Sequence, residues 1–567
     1  QRTGASPQRV AGPYRFYWRW AEVPFASRAQ PVVTSGRLFI GSLNGTMYAL
    51  DAAHDARGGP PSILWQRDLG SPIRSGAAVS GDVVLVGTHH GAIHGLEASS
   101  GRILWSFPTG GALLASPLVS GKAAYLGSAD GTFYALRASD GAVLWKREVG
   151  SPILGSAAMS ISGDRVFFMA EDMRAYALAA SDGSLLWRTK PLQGQSASDR
   201  WPVVAGDLVL FRTQPLVNFT RLLHAGDEVL DSAGPRLPDW DADWALVRPR
   251  IVSHLETRPQ EQSLYALEAS SGRPRGLPPV LYTFGNNDPP SPPVVRDGSI
   301  YLPYRPRHGL QTDSPVAVHV TTRYDAELGR MDAATLDVTG LASADQFRYQ
   351  FRLTSDEPAV LTLSGELLLV DSWERLGAID LADGSLVAIA QQAVDGLPCR
   401  WGVGGPMPGF YEDCPFPGPR VGEGMSRSGA AVGSGRIFWR VDASGLASIG
   451  PDDGAEREPL AARAVDSDPG PLPGPKPLPA SALASFVWTE PPLAPSVPDD
   501  LRARLEREVE AIVSTDGHLM PYYLERGHHG RGSFPSEVTN DSEPASVADS
   551  NGFWYDQGEL LLSLSRA

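Results

Sequence analysis

Ser62-Ile-Leu-Trp65 returns as Arg102-Ile-Leu-Trp105, Ala142-Val-Leu-Trp145 and Ser184-Leu-Leu-Trp187. The tryptophans stand 40, 40 and 42 residues apart (65 to 105 to 145 to 187). A fixed period in the low forties, carried by short strand-like runs between Gly and Asp-Gly turns, is the pattern of a β-propeller. Each repeat then builds one four-stranded blade.

The third copy can be read strand by strand. Ala123–Gly127 is a short extended run, Ala129-Asp-Gly131 a tight turn and Thr132–Leu136 the returning strand. Asp-Gly between two apolar runs predicts a type I′ hairpin turn, with positive φ at both central residues. A second turn, Ala138–Gly141, reverses the chain into Ala142–Lys146. The small residues of Gly150–Ala158 suit the crowded strand nearest a propeller axis. Asn44-Gly45, His90-Gly91 and Asp182-Gly183 hold turn positions in the other copies.

Working outward, the ring has a visible closure. Trp18 precedes Val32 by the same interval that separates Trp65 from Val79, so Tyr14–Trp20 reads as an outer strand without a blade of its own. Its expected home is the last strand-rich segment, Gly429–Val432, Gly435–Val441 and Gly445–Ile449. An N-terminal strand completing the C-terminal blade removes an open sheet edge. The count is eight blades, with seven as the alternative: four ending at Trp187, a fifth ending near Leu281–Phe284, a sixth in 294–352, a seventh in Val360–Ala390 and the closed eighth. The domain reading is a propeller over 1–450, a Pro-rich extended linker over 451–498, and a helical C-terminal segment over 499–567.

The string Ala138-Ser-Asp-Gly141-Ala-Val-Leu-Trp145, preceded by Gly131-Thr-Phe-Tyr-Ala-Leu136, resembles the repeat of PQQ-like, quinoprotein-type β-propellers. That family includes quinoprotein alcohol dehydrogenases and the propeller scaffold of outer-membrane protein assembly. The resemblance covers 34–205 closely and 260–450 more loosely. It implies that Trp18, Trp65, Trp105, Trp145 and Trp187 are packing residues, each docked on the turn glycine of a neighbouring blade. It also implies what a quinone enzyme would need: a disulfide between adjacent cysteines, Ca²⁺ ligands and a catalytic Asp. The chain has no Cys-Cys pair and no Cys-x-x-Cys-His haem site. The expectation is a scaffold-type member without catalysis and without a resident cofactor.

Composition agrees. The 567-residue chain carries 60 Gly and 49 Pro, as a turn-rich all-β protein requires, and its net charge of −15 excludes the basic stripe of a nucleic-acid surface. No run of eighteen apolar residues is present to span a membrane. The chain begins at Gln1 without Met or a charged n-region, which reads as a processed, extracytoplasmic protein. Cys399 and Cys414 flank a Gly- and Pro-rich loop, and a disulfide there would stabilise by roughly 3 kcal/mol in the chain-entropy picture. Two free thiols are the alternative.

Three further features bear on chemistry. Asp239, Asp241 and Asp243 alternate in an acidic insertion, a spacing that can collect Ca²⁺ on one side of a loop; a solvated acidic loop is the plainer reading. His94 stands where other copies carry Tyr48, Tyr134 and Tyr176, so it reads as a substituted blade residue rather than a ligand. Beyond 450, Pro469–Pro479 reads as extended spacer, and Pro498–Val513 reads as a helix with Leu501, Leu505, Val509, Ile512 and Val513 on one face. The stretches Asp516–Tyr523 and Phe553–Leu562 resemble the start of α/α-toroid domains, with Asp556 or Glu559 beside a cleft, and the chain stops inside an apparent helix, as a fragment would. The functional expectation is a secreted or cell-surface propeller that binds a protein partner or assembles with itself. The alternative is an enzyme, either a divergent quinoprotein or the propeller of a toroid-bearing glycan-processing protein.

Overall fold

The computed structural model describes residues 5–20, 23–26, 28–56, 59–194, 196–198, 200–213, 229, 232–234, 240–281, 292–304, 327–340, 359–372, 375–391, 393–394, 397–398, 429–441 and 445–451. Eight sheets of antiparallel strands succeed one another around a ring, at 32–68, 78–108, 118–148, 158–188, 203–276, 294–340, 359–391 and 431–451. The eighth sheet has only three strands from its own segment, and Tyr14–Trp20 pairs with Gly445–Pro451 to complete it (Tyr14 opposite Pro451, Trp20 opposite Leu446). The eight-bladed, N-terminally closed propeller expected from the repeat is the observed architecture.

Blade three shows why the sequence folds this way. Its inner strand Leu118–Ser120 turns at Gly121 into Ala123–Gly127, which pairs with Thr132–Arg137 and then Val143–Glu148. Alternating side chains bury both faces of the two middle strands against adjacent blades. The hairpin at Ser128–Thr132 departs from the type I′ expectation. Gly131 alone has positive φ, 80°, and Asp130 does not. Its amide bonds Ser128 O at 3.1 Å, which makes a three-residue loop ending on a left-handed glycine. Asp130 favours this form because its carboxylate accepts from Thr132 N at 2.8 Å and from Tyr134 OH at 2.8 Å.

Two boundaries also differ from expectation. Of Gly150–Ala158, only Ala158 enters a strand; the rest is the connection between blades, and its small residues fit because Ile153 must drop onto Gly127. In blade five the outer strand is Pro274–Gly276, not Leu281–Phe284, because the turn closed by Gly272 N on Glu268 O at 2.8 Å sets the same register as in the other blades. Leu281 instead joins the core between blades five and six.

Four of the tryptophans tie neighbouring blades together. Trp65, Trp105, Trp145 and Trp187 donate from Nε1 to Ala98 O, Ala138 O, Ala180 O and Ala269 O of the next blade at 2.9, 3.1, 3.0 and 3.0 Å. Each ring covers a left-handed glycine: a Cβ on Gly101, Gly141, Gly183 or Gly272 would lie 2.4 to 2.6 Å from a Trp Cε3. Trp18, at the closure, is fully buried among Phe25, Leu38, Ile40 and Phe438, and its Nε1 has no acceptor among the described residues.

One element has no counterpart in the sequence pattern. Ala5–Ser6 adds in parallel to the inner strand of blade seven, Ala5 opposite Leu363 and Ser6 opposite Ser364. The chain then crosses outward, held by Gly365 N on Ser6 O (2.9 Å), Ser364 Oγ on Gln8 O (2.8 Å) and Val10 N on Ser364 Oγ (3.0 Å).

Candidate functional site

Strand direction decides where the insertions emerge. In an antiparallel four-stranded blade, the second-to-third connection and the link to the next blade share one face, here called the upper face. The other two turns lie below. On blades one to four the upper second-to-third turns are tight, at 42–45, 88–91, 128–131 and 170–174. On blades five to eight the strand ends Arg212 and Leu264, Gly276 and Val294, Tyr304 and Glu327, Gly340 and Ala359, and Gln391 and Ala431 bracket the long connections. All of those ends face upward. The lower turns stay short except in blade one, where the connection from Asp51 to Ile63 is longer.

The first of these insertions contains the helix Trp240–Thr257. Trp244, Val247, Ile251 and Leu255 recur at helical spacing and bury against Leu208, Leu210 and Ala266 of blade five and Ile300, Leu302 and Met331 of blade six. At its end His254 Nε2 meets Glu261 Oε2 at 2.5 Å, with Arg258 Nη1 at 3.6 Å from the same carboxylate. Leu246, Arg250 and Glu256 remain exposed. The 244-247-251-255 spacing was the signal for this helix, obscured in the sequence by Pro249 and the acidic run before it.

That helix holds two of the three aspartates. Asp241 and Asp243 both lie within it. Asp243 is buried. Asp239 lies outside the described residues. No group of three His, Cys, Asp or Glu suited to a metal ion occurs among the described residues. Cys399, Cys414, Asp556, Glu559 and everything after Pro451, including the linker and the C-terminal helical segment, also lie outside them.

The layer just under the upper face is built in two halves. The second strands of blades one, two and three end in Gly41, Gly87 and Gly127, and Ile73, Leu113 and Ile153 fill the space that a side chain there would take. The registers place Met169, Arg212, Asp371 and Arg440 at the same position in blades four, five, seven and eight. Arg212, Asp371 and Arg440 are all buried. Arg440 Nη1 donates to Ala26 O at 2.9 Å and Ala29 O at 3.1 Å, and its guanidinium lies 5.0 Å from the Phe25 ring. Asp371 Oδ1 accepts from Trp439 Nε1 at 2.8 Å, while Oδ2 has no partner among the described residues. Burial pushes this carboxyl well above the ordinary aspartate range, against a smaller opposing pull from Trp439 and Arg440. The charged half lies beneath the insertions, and the apolar half lies beneath the tight turns.

His94 is the blade residue expected from the repeat. Its Nδ1 is 2.7 Å from Ser106 Oγ, and burial lowers its pKa, keeping the ring neutral.

Residues 52–275 match the family described as outer membrane protein assembly factor BamB. No curated protein matches the chain. Similar solved structures include BamB from Moraxella catarrhalis, at 12% identity and a TM-score of 0.45 over 77% of this chain and 99% of that one. A europium-containing methanol dehydrogenase gives 12% identity and 0.46 over 69% and 83%. A quinohemoprotein alcohol dehydrogenase from Comamonas testosteroni gives 12% and 0.47 over 79% and 78%. With the blade-to-blade tryptophan and glycine contacts seen above, the family match makes residues 52–275 of this chain similar to the PQQ-like repeat β-propellers.

Proposed function

We propose that this protein is a non-catalytic, extracytoplasmic scaffold that binds a protein partner through the insertions of blades five to eight. One observation carries the reading: the longest connections, bracketed by Arg212 and Leu264, Gly276 and Val294, Tyr304 and Glu327, Gly340 and Ala359, and Gln391 and Ala431, all leave and return on the upper face of that half of the ring. Connections set on a rigid ring are where binding residues concentrate. The described part of these insertions, the helix Trp240–Thr257, is anchored on blades five and six by four buried apolar residues, meets Asp337 of a lower turn through Arg248, and presents Leu246 to solvent at 40% exposure. The family description, an outer-membrane assembly factor, supports both a protein partner and a place outside the cytoplasm. No helix among the described residues is long and apolar enough to cross a membrane.

Photo-crosslinking side chains placed singly at Leu246, Arg250 and Glu256 test this in cells of the source organism. Lys122 and Asp140, on lower turns, serve as controls. The expected result is a discrete polypeptide adduct from the helix positions and none from Lys122 or Asp140. Adducts from the lower positions alone, or from none, overturn the reading.

A further inference from the structure

The outer strands of the ring carry a second surface, unrelated to the upper face. In blades one to four the residues before each tryptophan are exposed apolar pairs: Ile63 and Leu64 at 45% and 48%, Ile103 and Leu104 at 42% and 37%. Val143 with Leu144, and Leu185 with Leu186, repeat the pattern in blades three and four. The second member of each pair is a bulge residue, since Ala49 pairs with Trp65 and Leu50 with Ile63, skipping Leu64. A bulge turns the side chain outward and blunts the strand edge. Each pair opens its outer strand, so all four lie at the lower end of the ring's rim. These eight residues make up most of the large exposed apolar side chains among the described residues.

The place where the described chain ends bears on what covers them. In blade eight the same register gives Phe16 and Tyr17, with the bulge between Phe16 and Trp18. Tyr17 OH donates to Pro451 O at 3.1 Å, and Arg15 and Arg436 sit 3.7 and 3.8 Å from its ring. The chain therefore leaves the propeller at the lower rim, directly against the blade-eight member of the apolar series and beside blade one. Next along the chain come the Pro-rich run and then Pro498–Val513, whose five apolar residues share one face at helical spacing. At about 3.1 Å per residue, an extended 452–498 reaches about 140 Å, more than the roughly 60 Å width expected of a 450-residue domain. A helical 501–513 presents an apolar stripe about 18 Å long.

We infer that residues 499–513 dock on the lower rim of their own propeller, laying Leu501, Leu505 and Val509 across the Ile63–Leu64 and Ile103–Leu104 pairs. The Pro-rich run is the tether that holds this helix at high local concentration beside blades eight and one. Docking removes from water both the rim pairs and the helix's apolar face, and leaves the upper face free.

The test uses the full chain, with a photo-crosslinking residue at Leu64 or Leu104 and a control at Ile161, which is exposed on a lower turn of blade four. Irradiation and then peptide mapping should join the rim positions to the 499–513 peptide within a species of monomer mass. Leu505→Asp in the same chain should abolish that link while the thermal unfolding of the propeller stays in place. Links from the rim to a second copy, to another protein or to no part of 499–513 overturn the inference, as does a link that survives Leu505→Asp.

Discussion

At the scale of single residues, Asp371 shows how much a position in the ring can differ from its repeats. Blades one to three hold glycine there, and the neighbouring loop supplies an isoleucine or leucine. Blade seven instead buries a carboxyl with one oxygen on Trp439 and the other without a partner among the described residues. Its folded pKa lies above the unfolded value of about 3.9, so its contribution to stability is fully present below that value and is lost as pH rises toward the folded pKa. Asp371→Asn keeps the acceptor for Trp439 and removes the titration. The variant should melt at or above the parent temperature at pH 8, with the difference shrinking toward pH 4, as measured by thermal denaturation across that range. A variant clearly less stable at pH 8 would mean that Asp371 is ionised and held by Arg440. Nothing in the sequence marked Asp371, because its setting is defined by Trp439 and Arg440 on another blade.

At the scale of elements, the glycines divide into two kinds that the sequence does not separate. Gly121 and Gly183 both have positive φ, 58° and 73°, so alanine at either costs about 1 kcal/mol of left-handed strain. A Cβ on Gly121 meets nothing within 4 Å, whereas one on Gly183 would lie 2.5 Å from Trp145 Cε3. Gly183→Ala must therefore also displace the ring that ties blade three to blade four, adding about 1 to 3 kcal/mol of overpacking. Urea unfolding of the two variants should show a small midpoint shift for Gly121→Ala and a much larger one for Gly183→Ala; equal shifts would remove the tryptophan–glycine contact as a source of blade packing. Strand order, turn sites and the role of the tryptophans were legible because they depend on near-neighbour spacing. The hairpin type was not, since Asp130 chooses it through bonds to Thr132 and Tyr134. The Trp240–Thr257 helix was hidden because its identity depends on the blade-five and blade-six core it covers.

At the scale of the whole molecule, the ring is held shut by its first residues. Tyr14–Trp20 is the outer strand of the last blade, and Trp18 is fully buried against blade one. Trp18→Ala should cost about 3 to 5 kcal/mol, like other large deletions from a packed core. Removal of residues 1–20 should do more, because it bares the Gly445–Pro451 edge for pairing with other chains. Light scattering during a thermal ramp checks both: the truncated chain should associate at a temperature where the parent is monodisperse, and an unchanged profile would deny the closure its role.

By itself the sequence determined the repeat, the eight blades, the closing strand and the packing tryptophans, because a propeller's blades are local units whose spacing is written along the chain. The tertiary structure alone decided that the long insertions share one face, that a charged layer underlies them and that Ala5–Ser6 lines the inner edge of blade seven. Those properties depend on strand direction and on contacts between residues hundreds of positions apart, which one-dimensional spacing does not contain.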